Sequence, residues 1–359
     1  MIDDAFVIDA IKHSHNLHPS NYAYAEHAAP IAEAVAKGLY LTSPLGTKIP
    51  QERYQRDWRI EDTASTTFLE SDVDMAVHQV LPIAAFKDGL DSFEKNVEAQ
   101  RRWPDRFIIY AGVDPMQGQK AMEELERQVE ELHPVGLKLY PHTWVSGQPK
   151  GWFMDDPEIA FPFFERAQKL GLKVVAIHKA VPMGPVPLQY YHVEDVDRAA
   201  LAFPDLIFEV IHTGVAFIEE TAWLLARFPN VYGNLETTST FVDFRPMAFT
   251  QAMAGLLAQG GAAVLDRLLW ATGSMHPQAS LEKFWHDWDF PPEMQEGLGL
   301  PSITKDLKKK ILGENYARML GLDIPAMKEK LDQDEFGIKK KQQGKVPPYS
   351  SVEFASEAV

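Results

Sequence analysis

The chain contains no cysteine, which excludes disulfides, thiolate zinc sites, iron–sulfur clusters and cysteine nucleophiles together. Any metal must then be held by histidine, carboxylate or lysine. Positive charge is also short: 35 Lys+Arg stand against 51 Asp+Glu, a formal charge of −16 with histidine neutral. Such a balance argues against nucleic acid or an anionic membrane as partner and leaves a small molecule. Apolar runs such as LKVVAI and MAGLLAQGGAAVL fall short of the roughly 20 residues that span a bilayer, or are too interrupted to do so. The opening MIDDAFVIDA carries acids and no basic residue, so it does not read as a signal peptide, and the expectation is a soluble cytoplasmic protein.

What is present is apolar residue in quantity, 45% of 359, enough for one large α/β barrel with additions. Short apolar runs alternate with helical pattern. The strand candidates are 5–9, 75–82, 106–113, 135–141, 172–178, 206–212, 230–236 and 267–272, with helices expected at 91–101, 117–132, 157–170, 193–202, 216–227 and 246–259. Eight such units predict a (β/α)8 TIM barrel over residues 1–322, whose chemistry sits at the C-terminal ends of the strands. Within it, 17–72 forms a long first βα crossover with a helix at 24–38, a lid or oligomer contact. Residues 323–359 form a charged C-terminal extension, read as solvated or partner-wrapping, and crossover and tail together favour a homo-oligomer, a dimer or larger.

Polar residues collect at the strand ends. His13 follows the first, His178 ends the fifth, His212 the sixth and Glu236 the seventh. Alternation with a period of two places Val174, Ala176 and His178 on one inward face, and Phe208, Val210 and His212 on another. Lys138 and Tyr140 share inward parity, and a lysine inside a barrel is costly unless it pairs, coordinates or reacts.

The segments VIDAIKH, GLKLYP, AIH, VIHTG with ETAWLLARFPNVYGNLE, RLLWATGSMHP and ILGENYARMLGL together resemble the amidohydrolase-related branch of the amidohydrolase superfamily, over about residues 5–320. The resemblance implies a metal centre of one or two ions per chain, zinc, manganese or iron. Its ligands would be an Asp-x-His-x-His at strand one, a histidine at each of strands five and six, and an aspartate at strand eight that also handles the proton. Carried over, Asp9 and His13 match the outer parts of the first motif, and His178 and His212 match the single histidines. Lys138 stands close to a strand-four lysine that some members carboxylate. Two positions break the pattern: Ile11 replaces the first histidine, and Gly273 or Met275 stands where the aspartate belongs. His15 reads as loop. Glu236 is the replacement carboxylate, either as a ligand or as the partner that orients His212. His276 is the other candidate for proton transfer, and Tyr140, His142, Arg245 and Met275 are candidate substrate contacts.

A site of this composition suits hydrolysis of a small amide, ester, lactone or thioester by a metal-activated water. The alternatives are a metal-dependent decarboxylase or hydratase of an organic acid, and a barrel that has lost its metal and binds a ligand. Specificity would reside in loops 40–72, 141–156, 179–192 and 237–246.

Overall fold

The computed structural model describes residues 2–42, 48–273 and 275–352. Eight parallel strands run in the order of the chain: β1 (Ile8–Lys12), β2 (Met75–Gln79), β3 (Phe107–Gly112), β4 (Gly136–Leu139), β5 (Val174–His178), β6 (Ile207–Ile211), β7 (Val231–Asn234) and β8 (Leu268–Leu269). The ring is brought together by Ala10 N–H donating to Trp270 O at 2.9 Å and Gly273 N–H to Ile11 O at 3.2 Å. This is a (β/α)8 TIM barrel. Relative to the sequence reading β1 starts and ends three residues later, β2 and β8 each end three residues earlier, and the pairing of β1 with β2 carries an irregularity between Asp9 and Lys12.

Side chains divide as the pleat requires. Ile8, Val77, Ile108, Val174 and Ala176 fill the interior, while Leu137, Leu139, Val175 and Ile177 pack outward against the helices. Those helices are α1 (Ala25–Thr42) and α2 (Ile60–Phe68) in the first crossover, then α3 (Phe93–Arg102), α4 (Gln119–Leu132), α5 (Phe161–Lys169), α6 (Asp195–Ala202), α7 (Ile218–Arg227) and α8 (Pro246–Gly260). Close strand approach depends on glycine at the end of β3, where a Cβ on Gly112 would stand 1.9 Å from Val80 O. Gly112→Ala is therefore expected to cost about 2–3 kcal/mol, read as a lowered denaturant midpoint; a midpoint equal to the parent's would contradict this packing.

Strand six corrects the sequence reading. Phe208 and Val210 face outward into the helical layer, and Glu209 points into the barrel. His212 still reaches the interior side because its backbone turns left-handed, φ 68°, just after β6 ends. The tail is also unlike its expected solvated form. After the barrel come α9 (Ile324–Leu331) and α10 (Glu335–Gln343), and both dock on the same chain. Phe336 is buried 5.2 Å from the Phe68 ring, Arg106 pairs with Asp334 at 2.5 Å, and Lys345 pairs with Asp72 at 2.8 Å. Residues 353–359 of the tail and 43–47 of the 40–72 loop lie outside the described residues. No described helix is long and apolar enough to cross a membrane.

Candidate active site

At the C-terminal end of the strands lies a cavity of about 280 Å³. Its walls are apolar: Ile31, Val35 and Leu39 from one face of α1, and Val181, Pro182 and Met183 from the loop after β5. Its floor is polar and gathers His13, His15, Lys138, Tyr140, His178, His212 and Glu236 from five strand ends. The sequence reading has this crossover helix as a lid or oligomer contact without naming its residues, and the i, i+4, i+8 spacing of the three marks an apolar stripe. His15, read as loop, does lie beyond the end of β1. That residue is buried, its ring 4.8 Å from that of His13.

The tautomers of the two central histidines follow from their outer partners. His178 Nε2 lies 2.7 Å from Val181 O, an oxygen that can only accept, so the ring proton sits on Nε2 and Nδ1 carries a lone pair. His212 Nδ1 contacts Glu236 Oε2, which leaves a lone pair on Nε2 when Glu236 is ionised. Burial alone would raise the Glu236 carboxyl, but His212, Thr237 and Lys138 outweigh it and hold the group below its ordinary value. The two lone-pair nitrogens, His178 Nδ1 and His212 Nε2, then face each other at 3.0 Å. They repel unless a proton or another cation lies between them. Burial first, then His212 and Lys138, push His178 well below the usual imidazole value, so His178 itself is held neutral.

A divalent ion between the two nitrogens would satisfy both lone pairs at once. Nitrogens that are each about 2.0–2.1 Å from an ion can lie 3.0 Å apart. The Val181 carbonyl and the Glu236 carboxylate are the outer partners that imidazole ligands ordinarily have. The residues thus fit a metal through two nitrogens. Among the described residues no three His, Asp or Glu side chains form a metal-holding group. His13 shares the cavity floor with a buried Nδ1 that has no hydrogen-bond partner, and burial, then His15 and Lys138, keep it neutral as a ligand must be. Ile11 contributes only apolar wall.

Glu236 stands where strand eight would have placed its own side chain. Gly273 has φ 60°, and a Cβ there would lie 2.2 Å from Glu236 Oε1. Oε2 is committed to His212 and to the Thr237 hydroxyl, which donates to it at 2.8 Å. Oε1 makes no hydrogen bond to any described residue. One carboxylate so contacts His212 through Oε2 and fills the space beside Gly273 with Oε1.

Lys138 Nζ also reaches this floor, 4.7 Å from the centre of the Tyr140 ring, and has no hydrogen bond or ion pair with a described residue. Burial pushes its amine down to about 7, against the opposing pull of Glu209 and Glu236. Glu209, below it in the barrel, is raised to about 7 by burial despite hydrogen bonds from Asn234 and Tyr110.

Four expected site residues lie elsewhere. His276 Nδ1 is 3.2 Å from Glu70 Oε2, and its ring packs edge-on to Tyr349, outside the cavity lining. His142 bonds to the Tyr191 hydroxyl and lies against Trp144 in a separate small cleft. Arg245 is exposed over Phe241 and Phe244, and Met275 is buried in the cluster that contains Leu17 and Ala28. The loops that carry these residues turn away from the mouth. Tyr140 alone of the candidate substrate contacts lines the cavity, its ring stacked 4.8 Å from that of His178.

Residues 51–322 match the family model described as amidohydrolase. Among solved structures, an uncharacterised TIM-barrel protein from Bordetella bronchiseptica is similar with a TM-score of 0.58 and 19% identity, over 88% of this chain and 98% of that one. A 2,6-dihydroxybenzoate decarboxylase from Rhizobium has a TM-score of 0.52 and 17% identity, over 88% and 99%. A dihydroxybenzoic acid decarboxylase from Polaromonas sp. JS666, solved with bound manganese, has a TM-score of 0.48 and 16% identity, over 92% and 99%. At these identities the likenesses concern the fold. No curated protein matches the chain.

Proposed function

The chain belongs to the amidohydrolase family, and on that premise we propose that it is a metal-dependent hydrolase of a small carbonyl compound, an amide, ester, lactone or thioester with an apolar body. The observation that carries this reading is the pair of facing imidazole nitrogens backed by Glu236. His178 and His212, with His13 beside them, would hold a divalent ion; iron, zinc or manganese suits such nitrogen donors, and when bound it supplies Lewis acidity toward a carbonyl oxygen.

The protein's own groups divide the remaining work. Val181 O and Glu236 Oε2 fix the two rings in their coordinating tautomers. Glu236 Oε1, beside Gly273, is the base that takes a proton from the attacking water. Lys138, when protonated, places positive charge near the developing oxyanion. The α1 face and residues 181–183 hold the apolar body and keep bulk water out. An ammonium without a hydrogen bond or close ion pair to a described residue also suits a substrate carboxylate, so a decarboxylase or hydratase of an organic acid is the second reading.

Glu236→Gln separates the roles of that side chain. The amide still accepts from His212 but no longer takes a proton, so metal content stays near the parent's while kcat on the best substrate of an ester, thioester and lactone panel falls about 10²- to 10³-fold. Loss of metal would make Glu236 a ligand, and an unchanged kcat would remove it as the base.

A further inference from the structure

Four lysines are buried among the described residues. Lys12 donates to Thr272 Oγ1 at 2.9 Å and lies 3.4 Å from Asp9 Oδ2. Lys179 pairs with Asp195 at 2.8 Å, and Lys308 donates to Trp285 O at 3.1 Å. Each of these ammonium groups has oxygen to replace the water it lost. Lys138 has none among the described residues: its nitrogen enters a cavity with apolar walls and lies 4.7 Å from the centre of the Tyr140 ring. A buried amine to which neither Glu209 nor Glu236 gives a hydrogen bond or close ion pair is driven toward its neutral form, and a neutral primary amine is a nucleophile. The barrel strand beneath holds it rigidly, aimed into a space the size of a small organic molecule.

We propose that Lys138 is a second reactive centre of this cavity and forms a Schiff base with aldehydes or ketones that carry an apolar body. The nitrogen lone pair adds to the carbonyl carbon as the C=O π bond moves to oxygen. One proton passes from nitrogen to that oxygen, giving a carbinolamine. The hydroxyl then leaves with the second nitrogen proton as water, and a C=N bond remains; no oxidant or reductant is consumed. Protonated, the imine is a cation, and it keeps the position over Tyr140 that the ammonium held. This activity does not depend on the hydrolytic reading, because capture of a carbonyl compound requires no hydrolysable bond.

The test uses the intact protein with benzaldehyde or butanone as probe, sodium cyanoborohydride to fix the adduct, and peptide mass mapping to locate it. The expected result is a reduced adduct on Lys138 that forms about tenfold or more faster than on any surface lysine. Lys138→Met abolishes that adduct and leaves surface labelling unchanged. Labelling of Lys138 no faster than surface lysines overturns the proposal, whether because its amine is blocked by carboxylation or because it serves only to hold an anion. Binding of benzoate without any adduct from benzaldehyde overturns it as well.

Discussion

His178→Ala and His212→Ala are each expected to strip the protein of its metal and of its activity while leaving the barrel folded. Each substitution removes one of the two facing nitrogens, and a single imidazole retains a divalent ion poorly, so metal content falls from about one equivalent to under about 0.1. The structural cost is modest. Neither ring bridges two elements of the helical layer, and loss of the stack on Tyr140 or of the bond to Glu236 costs about 1–2 kcal/mol. Circular dichroism and a thermal melt report that cost separately from elemental analysis. Full metal content in both variants would show that the pair is not the binding site.

Gly273→Ala is expected to produce the second large effect, through Glu236. The added methyl would meet Oε1 at 2.2 Å, at a backbone angle of φ 60° that side chains other than glycine adopt at a cost. Glu236 must swing away, and the bond to His212 and the proton-accepting oxygen are lost together. Stability drops by about 1–3 kcal/mol and kcat by about 10²-fold, with metal retained by the histidines. A reciprocal exchange sharpens the prediction. Glu236→Ala combined with Gly273→Asp returns a carboxylate to the same space from the strand-eight side, and aspartate is among the residues that tolerate positive φ. The double variant should recover part of the rate that each single substitution loses, a coupling that a double-mutant cycle measures. Additive losses would mean that Glu236 and position 273 do not share one task.

The strand ends were legible because apolar runs and their terminal polar residues are local features. Lys138, His178 and Glu236 face the cavity by the alternation read from the chain. His212 arrived at the right place by a different route, since its inward direction comes from a left-handed backbone angle that no period-two pattern encodes. Its pairing with Glu236 is one of the two readings the sequence leaves open, and the contact between them is the arrangement the orienting reading expects. His276, His142, Arg245 and Met275 lie off the cavity for a common reason: each belongs to a connection beyond the barrel strands, His142 in a short hairpin pairing with Gly151, and the course of such connections depends on tertiary contacts such as those of His276 with Glu70 and Tyr349. The tail illustrates the same limit from composition. Its lysines suggested solvent, yet Lys345 pairs with Asp72 on the barrel and Phe336 fills a hole beside Phe68.

The proposed hydrolase chemistry requires that His178 Nδ1 and His212 Nε2 face each other across a metal ion and not across a shared proton. Elemental analysis by mass spectrometry, on protein purified without a chelator or a metal-binding tag, tests it directly. About one equivalent of iron, zinc or manganese per chain is the predicted result. Less than about 0.1 equivalent after reconstitution with each of these ions would contradict it and leave the two histidines as a proton-sharing pair.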